Sequence, residues 1–381
     1  MSNGEASETA EGVAEPSTIE RVRELERFAL SRLPSMQLAD GLFCHEVRAE
    51  DGCRPQGRSL RYTICVLIGL LRAEEHGIEH PFHAGALRTR ILSELGAEEL
   101  EPGDFGLALW AESRSDGGAA EEIVAALERS LSGRNPLDGL VGMELAWIVI
   151  GLAESEARRE SEAGERVLAA ARRQLLERGS QSGLLLHAAR GPRRRFPNFA
   201  TQIYGVLALS LLARLRDDGE AREAGRAIGE RLLELQLPDG GWPWIFDAQR
   251  GTIVEPYELY SVHQDAMAPM GMHGLTEATR DERYRAAATY GLDWVWGRNE
   301  LGAQMLDREV GMLYRSIRRR EGASRAYLYG RTAASYLRPP RLKDARSMLE
   351  VNRSDRPYHL GWVLEAWAGR EELADLRAER S

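Results

Sequence analysis

The chain has 381 residues, 43% of them hydrophobic, and a formal net charge of -9. That length can bury a large core, and the negative balance argues against a general nucleic-acid binder, which carries a basic face. Cys44, Cys53 and Cys65 are an odd set in a long chain, which argues against a disulfide framework and for a reducing compartment.

Met1 to Ser17 is acidic and rich in small residues, with no basic start and no apolar stretch, so it reads as a disordered tail and not as a signal peptide. No apolar run approaches the ~18 residues of a membrane span. The expected location is cytoplasmic. No Gly/Ser/Pro-rich linker divides the rest, so residues 18–381 are expected to form a single domain. Lys343 is the only lysine, a bias that weakens arguments from individual arginines.

The apolar spacing predicts about twelve helices, in chain order: Thr18 to Leu33, Ser59 to Glu75, Ala84 to Leu95, Asp104 to Ser113, Ala119 to Leu131, Leu140 to Glu154, Glu162 to Glu177, Asn198 to Leu215, Glu220 to Leu235, Val262 to Ala278, Asp281 to Trp296 and Tyr358 to Ala368. Asp104 and Asn198 are candidate N-caps. Pro269 should kink its helix or delay its start. A short helix near Lys343 is also expected. The helices starting at Ser59, Asp104, Leu140, Asn198, Val262 and Tyr358 are apolar on most faces and belong inside. Those before or between them carry a charged face and belong outside. No run of alternating residues suggests a sheet core.

Six buried and six amphipathic helices in alternation make an all-α ring of hairpins, an inner barrel within an outer shell. Parallel inner helices gather their N-termini at one mouth, where free N–H groups favour anionic or polyhydroxyl ligands. The long loops feed that mouth: the His45 loop, the run Arg193-Arg194-Arg195, the Gln236–Tyr260 loop and the connection from Arg298 to Pro357.

Chemistry is most concentrated between Gln236 and Met272. Asp265, between a histidine and apolar residues at a helix start, is the candidate proton-transfer carboxylate, because partial burial raises a carboxyl pKa. Glu255 and Glu258 are its candidate partners, and His263 and Tyr260 its supporting catalytic groups. Trp242, Trp244, Trp147 and Trp362 are candidate stacking surfaces for a substrate ring. Arg61, Arg315, Arg318 and Arg356 are candidate anion holders. Asp239, Gln202, Gln264 and His359 complete the candidate substrate-binding set. Cys44, His45 and Cys53 lack a separate third ligand region, so no metal site and no cofactor are expected.

The inferred ring resembles the (α/α)6 toroid superfamily: six-hairpin glycosidases, polysaccharide lyases, sugar epimerases and cyclase toroids. The resemblance implies an (α/α)6 barrel and a carbohydrate-active enzyme working on a saccharide, in this reading an acidic one, by hydrolysis or by lyase or epimerase proton transfer. Gln236-x-x-Asp239-Gly240-Gly241-Trp242 resembles the Gln-Trp repeat of squalene/hopene-type cyclases, where it ties helices together. A terpenoid cyclase or prenyl-binding toroid is therefore an alternative, although the acidic Asp-x-Asp-Asp motif of those enzymes is absent. A non-catalytic saccharide-binding scaffold is another. Trp296-Gly297-x-Asn299-Glu300-Leu301-Gly302 is similar to a segment of endoglucanase-like toroids. The expected partner is an oligosaccharide or other small molecule, with no nucleic acid and no membrane.

Overall fold

The computed structural model describes residues 16–96, 100–115, 118–131, 136–158, 161–320, 330, 333–334 and 346–375. The tail before residue 16 and the helix expected near Lys343 lie outside them. Twelve α-helices are described: α1 (Thr18–Arg32), α2 (Leu60–Glu75), α3 (Ala84–Glu94), α4 (Pro102–Ser113), α5 (Ala120–Ser130), α6 (Gly142–Arg158), α7 (Glu162–Glu177), α8 (Phe199–Leu215), α9 (Gly219–Leu235), α10 (Ala268–Thr279), α11 (Glu282–Leu292) and α12 (Pro357–Trp367). The even-numbered helices form a closed inner ring, each packed on the next, with α12 returning to α2. The odd-numbered helices lie outside. This is the (α/α)6 barrel that the alternation of buried and amphipathic helices predicts.

The two classes differ as the sequence requires. In α8 every residue from Phe199 to Ala213 is buried, whereas α5 buries only Ile123, Val124 and Leu127. Asn198 caps α8, its side-chain oxygen accepting from the Thr201 amide at 3.0 Å. Asp104 is not a cap. Glu101 holds that position, and Asp104 lies three residues inside α4, where its carboxylate accepts from the Glu101 amide at 3.1 Å.

Close approach of the inner helices depends on missing side chains. A Cβ at Gly69 of α2 would lie 2.1 Å from the Gly361 carbonyl oxygen of α12. One at Gly151 of α6 would lie 2.0 Å from that of Gly106 in α4. Such backbone contact leaves no rotamer by which a side chain could escape.

Among the described residues ten short strands decorate the loops in four antiparallel sheets. One joins β1 (Glu46–Arg48) to β2 (Pro55–Gln56) and β10 (Ser354–Asp355). Another joins β8 (Ser316–Arg319) to β5 (Leu259–Tyr260) and β9 (Leu349–Asn352). A third pairs β3 (Ile245–Asp247) with β4 (Thr252–Glu255), and the last pairs β6 (Leu306–Asp307) with β7 (Met312–Leu313). Strands of two to four residues are too short to show an alternating pattern, so the sequence did not announce them. They matter because β5 runs directly into the start of the fifth inner helix and carries Tyr260 with it.

That start is a π-helical turn, His263–Met267, continuing as α10. Pro269 follows this turn inside a continuous helix, so its missing amide hydrogen removes a helical bond, and Trp367 Nε1 donates instead to the Asp265 carbonyl at 2.5 Å. The wider turn changes the aim of the side chains before the regular helix begins, and such turns concentrate at functional sites. Among the described residues no helix is long and apolar enough to cross a membrane.

Candidate active site

Five of the six inner helices begin at one cavity of about 310 Å³. Each contributes a pair of residues four apart, one above the other on the same helix face. The pairs are Arg61 and Cys65, Met143 and Trp147, Ala200 and Tyr204, His263 and Met267, and Tyr358 and Trp362. Tyr62, Asn198, Trp244, Tyr260 and Arg315 complete the wall. The convergence of first turns at one hollow establishes the mouth that parallel inner helices demand.

The wall is mostly aromatic. Trp147 meets Tyr204 edge to face with centroids 5.4 Å apart, and Trp244 meets Tyr260 in the same way at 6.1 Å. Arg61 lies over Trp147 at 5.5 Å and grips Asp104 through two nitrogens, at 2.5 and 2.9 Å. Beside this pair, Glu144 is half-buried, and burial pushes its carboxyl upward. Across the cavity Arg315 leans over the Tyr260 ring at 5.0 Å.

His263 is the one imidazole in the wall. It lies between Phe199, at 4.8 Å, and Tyr260, at 5.0 Å, and is 5% exposed. Its Nδ1 has no hydrogen-bond partner among the described residues. Burial, with Arg315 nearby, pushes its pKa down to about 3, so the ring is neutral at ordinary pH. Among the described residues no carboxylate lines this cavity.

A second hollow of about 400 Å³ opens beside the first, and Tyr260 and Arg315 belong to both. It holds Glu258, whose carboxylate accepts from the Ser316 hydroxyl at 2.9 Å, and also Arg318 and Arg356. A larger recess, about 650 Å³, lies on the outer surface against α7, lined by Arg166 and Glu177, away from the inner-helix starts.

The remaining expected site residues lie elsewhere, for identifiable reasons. Asp265 is fully buried and absent from the cavity wall, because it lies two residues after His263, on the other side of the helix, and faces α12. There Oδ1 meets His359 Nε2 at 2.7 Å, while Oδ2 has no partner among the described residues. Burial raises its pKa, opposed by His359. His359 is likewise buried outside the wall. Glu255 is buried in an ion pair with Arg319 at 2.7 Å. Arg195, from the basic run before α8, is held by Asp247 at 2.6 Å.

The residues shared with the Gln-Trp motif are ties. Gln236 donates to the carbonyls of Gly240, at 2.8 Å, and Ala287, at 3.0 Å, joining the end of α9 to α11. Gln264 accepts from the Trp242 amide at 2.8 Å and donates to the Tyr260 carbonyl at 3.0 Å. Gln202 spans the Leu185 amide and carbonyl in the same manner. Trp242 is fully buried and stacks on Phe199 at 5.5 Å, one ring behind His263. Asp239 accepts from the Gly241 amide at 3.1 Å within a turn. Buried amides with both functions occupied, and a Trp with no exposed face, have nothing left to offer a substrate. Trp242 and Asp265 therefore do not share a hollow with His263.

Tyr62 and Tyr358 are wall residues that the sequence reading missed. Both lie in the first turn of an inner helix, so the rule that selected Trp147 would have found them. Tyr62 also stacks on His45 at 5.3 Å, and Arg356 reaches His45 Nε2 at 2.6 Å. Cys44, Cys53 and Cys65 are free thiols, and no set of three His, Cys, Asp or Glu side chains converges among the described residues.

Solved structures share this architecture at low identity. A sugar epimerase from a ruminal bacterium superposes with a TM-score of 0.63 at 11% identity, over 92% of this chain and 99% of that one. Unsaturated glucuronyl hydrolase from Bacillus sp. GL1 gives 0.61 at 14%, over 95% and 97%. Cellobiose 2-epimerase from Bacillus thermoamylovorans gives 0.61 at 12%, over 92% and 99%. The chain is an (α/α)6 toroid. No protein-family model and no curated protein sequence matches it. At such identities the toroid establishes a scaffold, and the chemistry must be argued from the site.

Proposed function

We propose that this toroid is a carbohydrate-active enzyme that transfers a proton at carbon, as an epimerase or lyase does. One observation carries the reading: a neutral imidazole lines an aromatic cavity whose described wall has no carboxylate. Aromatic faces stack on sugar rings, and a neutral imidazole is the proton-accepting form. Burial first, and then the charge of Arg315, weakens the base. An anionic group, or the enolate-like charge that develops during reaction, offsets that arginine and raises the basicity of His263. Tyr260, beside His263 and Arg315, is the neighbouring hydroxyl that returns a proton. Asp265 acts through His359 and holds α10 against α12. Glu255 maintains the loop through Arg319, and Glu258 belongs to the outer hollow. The likeness to epimerases and to a glucuronyl hydrolase supports the class of substrate, and the wall supports the type of step.

The test is solvent exchange. Reducing disaccharides and uronate-containing disaccharides, incubated with the protein in D₂O, are expected to gain deuterium at carbon. His263→Gln should lower the rate by about 10²–10⁴, the usual contribution of a general base. Release of new reducing ends without a carbon–deuterium bond would overturn the reading. It would favour hydrolysis beside the Arg61–Asp104 pair, behind the cavity wall, where burial pushes the Glu144 carboxyl upward. One carboxyl able to donate and one held as carboxylate is the division of labour glycoside hydrolysis needs. In that case Glu144→Gln abolishes turnover and His263→Gln does not.

A further inference from the structure

The two adjoining hollows differ in character. The inner one is walled by aromatic rings, whereas the outer one is polar and brings Arg48, Arg315, Arg318 and Arg356 together with Glu46, Glu50 and Glu258. Most of these cations are already engaged. Arg48 and Arg356 pair with Glu46 at 2.6 and 3.1 Å, and Arg318 pairs with Glu350 at 3.0 Å. Arg315 differs. It stands at the junction, hydrogen-bonded to Tyr260 and within the field of Glu258, but its Nη1 is buried and that nitrogen has no hydrogen-bond partner among the described residues. Its side chain is positioned over the Tyr260 ring. A buried guanidinium nitrogen left without an acceptor is costly, and an incoming acceptor removes the cost.

We propose that Arg315 receives an acidic substituent of the saccharide, a carboxylate in preference to a sulfate, so that the substrate is an anionic oligosaccharide of at least two residues. One sugar ring occupies the aromatic inner cavity and the next lies in the outer hollow, with the acidic group at the junction where both meet. The planar fork of the guanidinium matches a carboxylate's two oxygens. The volumes, about 310 and 400 Å³, accommodate a ring each. This inference rests on the saccharide reading above, and it adds the charge of the substrate and the residue that selects it.

Tryptophans in the inner wall report occupancy, so binding is measured by fluorescence quenching in the full-length chain. Three matched disaccharides serve as probes: one with a glucuronate residue, its neutral glucose counterpart, and a sulfated form. The glucuronate form is expected to bind about ten- to a hundred-fold more tightly than the neutral one, the worth of a charged hydrogen bond. Arg315→Gln should erase that preference and Arg315→Lys should retain part of it, with unchanged far-UV circular dichroism in both. Equal affinity for neutral and acidic forms, no binding of any probe, or a preference that survives Arg315→Gln overturns the proposal. Tighter binding of the sulfated form overturns the choice of carboxylate. His263→Gln separates the two readings, because it should keep the acidic preference while losing deuterium exchange. An intact exchange reaction on neutral sugars would leave the proton-transfer reading standing and remove this one.

Discussion

Among individual side chains, Glu300 shows what burial does to a carboxyl outside the cavity. It lies in the loop after α11, with Trp294 Nε1 donating to it at 3.3 Å. Burial, then the charge of Asp239, pushes its pKa up to about 7. The folded chain therefore holds this proton to a higher pH than the unfolded chain, whose Glu titrates near 4.5. Between those values the folded state binds more protons, so stability falls as pH rises through about 4.5 to 7 and is flat above. The difference amounts to about 3 kcal/mol. Glu300→Gln keeps an acceptor for Trp294 and has no charge to bury, so its melting temperature should lack this decline. Thermal melts of both proteins from pH 4.5 to 8 check it; parallel profiles would show that Glu300 titrates as an exposed carboxyl.

At the scale of the elements, the inner ring is set by backbone contact. Gly69→Ala places a methyl 2.1 Å from the Gly361 carbonyl, so α2 and α12 must separate. The expected loss is about 2–3 kcal/mol, at the upper end for overpacking. Urea titration measures it; a variant as stable as the parent would mean that the two helices part freely. The same helices explain what was legible in the sequence. Runs such as Phe199 to Ala213, apolar on every face, require burial, and their alternation with helices like α5 sufficed for the barrel. The mouth was legible too, because Arg61 and His263 lie in first turns and Trp147 and Trp362 one turn further in. What escaped was the direction of single side chains. Asp265 lies two residues after His263, on the other side of the helix, and a reading that grouped them by nearness in sequence overlooked that spacing. Gln202, Gln264 and Trp242 read as binding groups because composition cannot tell a buried tie from an open ligand. The strands that bring Tyr260 and Arg315 to the junction are too short for any pattern.

For the molecule as a whole, closure of the ring joins the two ends of the described chain. α1 packs on α12, its Arg21 pairs with Asp293 beyond α11, and Arg308 donates to its Glu24 at 2.6 Å. The ion pairs are partly exposed and weak, so the apolar seam must dominate. Val22, Leu25, Ala29 and Leu33 are each at most 1% exposed. At roughly 1.5–3 kcal/mol for a large apolar side chain, this seam contributes on the order of 5–8 kcal/mol. The net stability of a domain is only about 5–15 kcal/mol, so removing the seam takes most of it. A chain lacking residues 1–33 should therefore lose its cooperative thermal transition. It should also lose the near-UV signal of the Trp110–Trp362 stack, whose rings lie 5.4 Å apart. Because Trp362 and Tyr358 line the cavity from α12, saccharide quenching should disappear with it. Arg21→Ala, by contrast, should shift the melting temperature by only a few degrees. Scanning calorimetry of the two variants decides the matter: a truncated chain that still melts cooperatively within a few degrees of the parent would mean that the inner ring closes without its first outer helix.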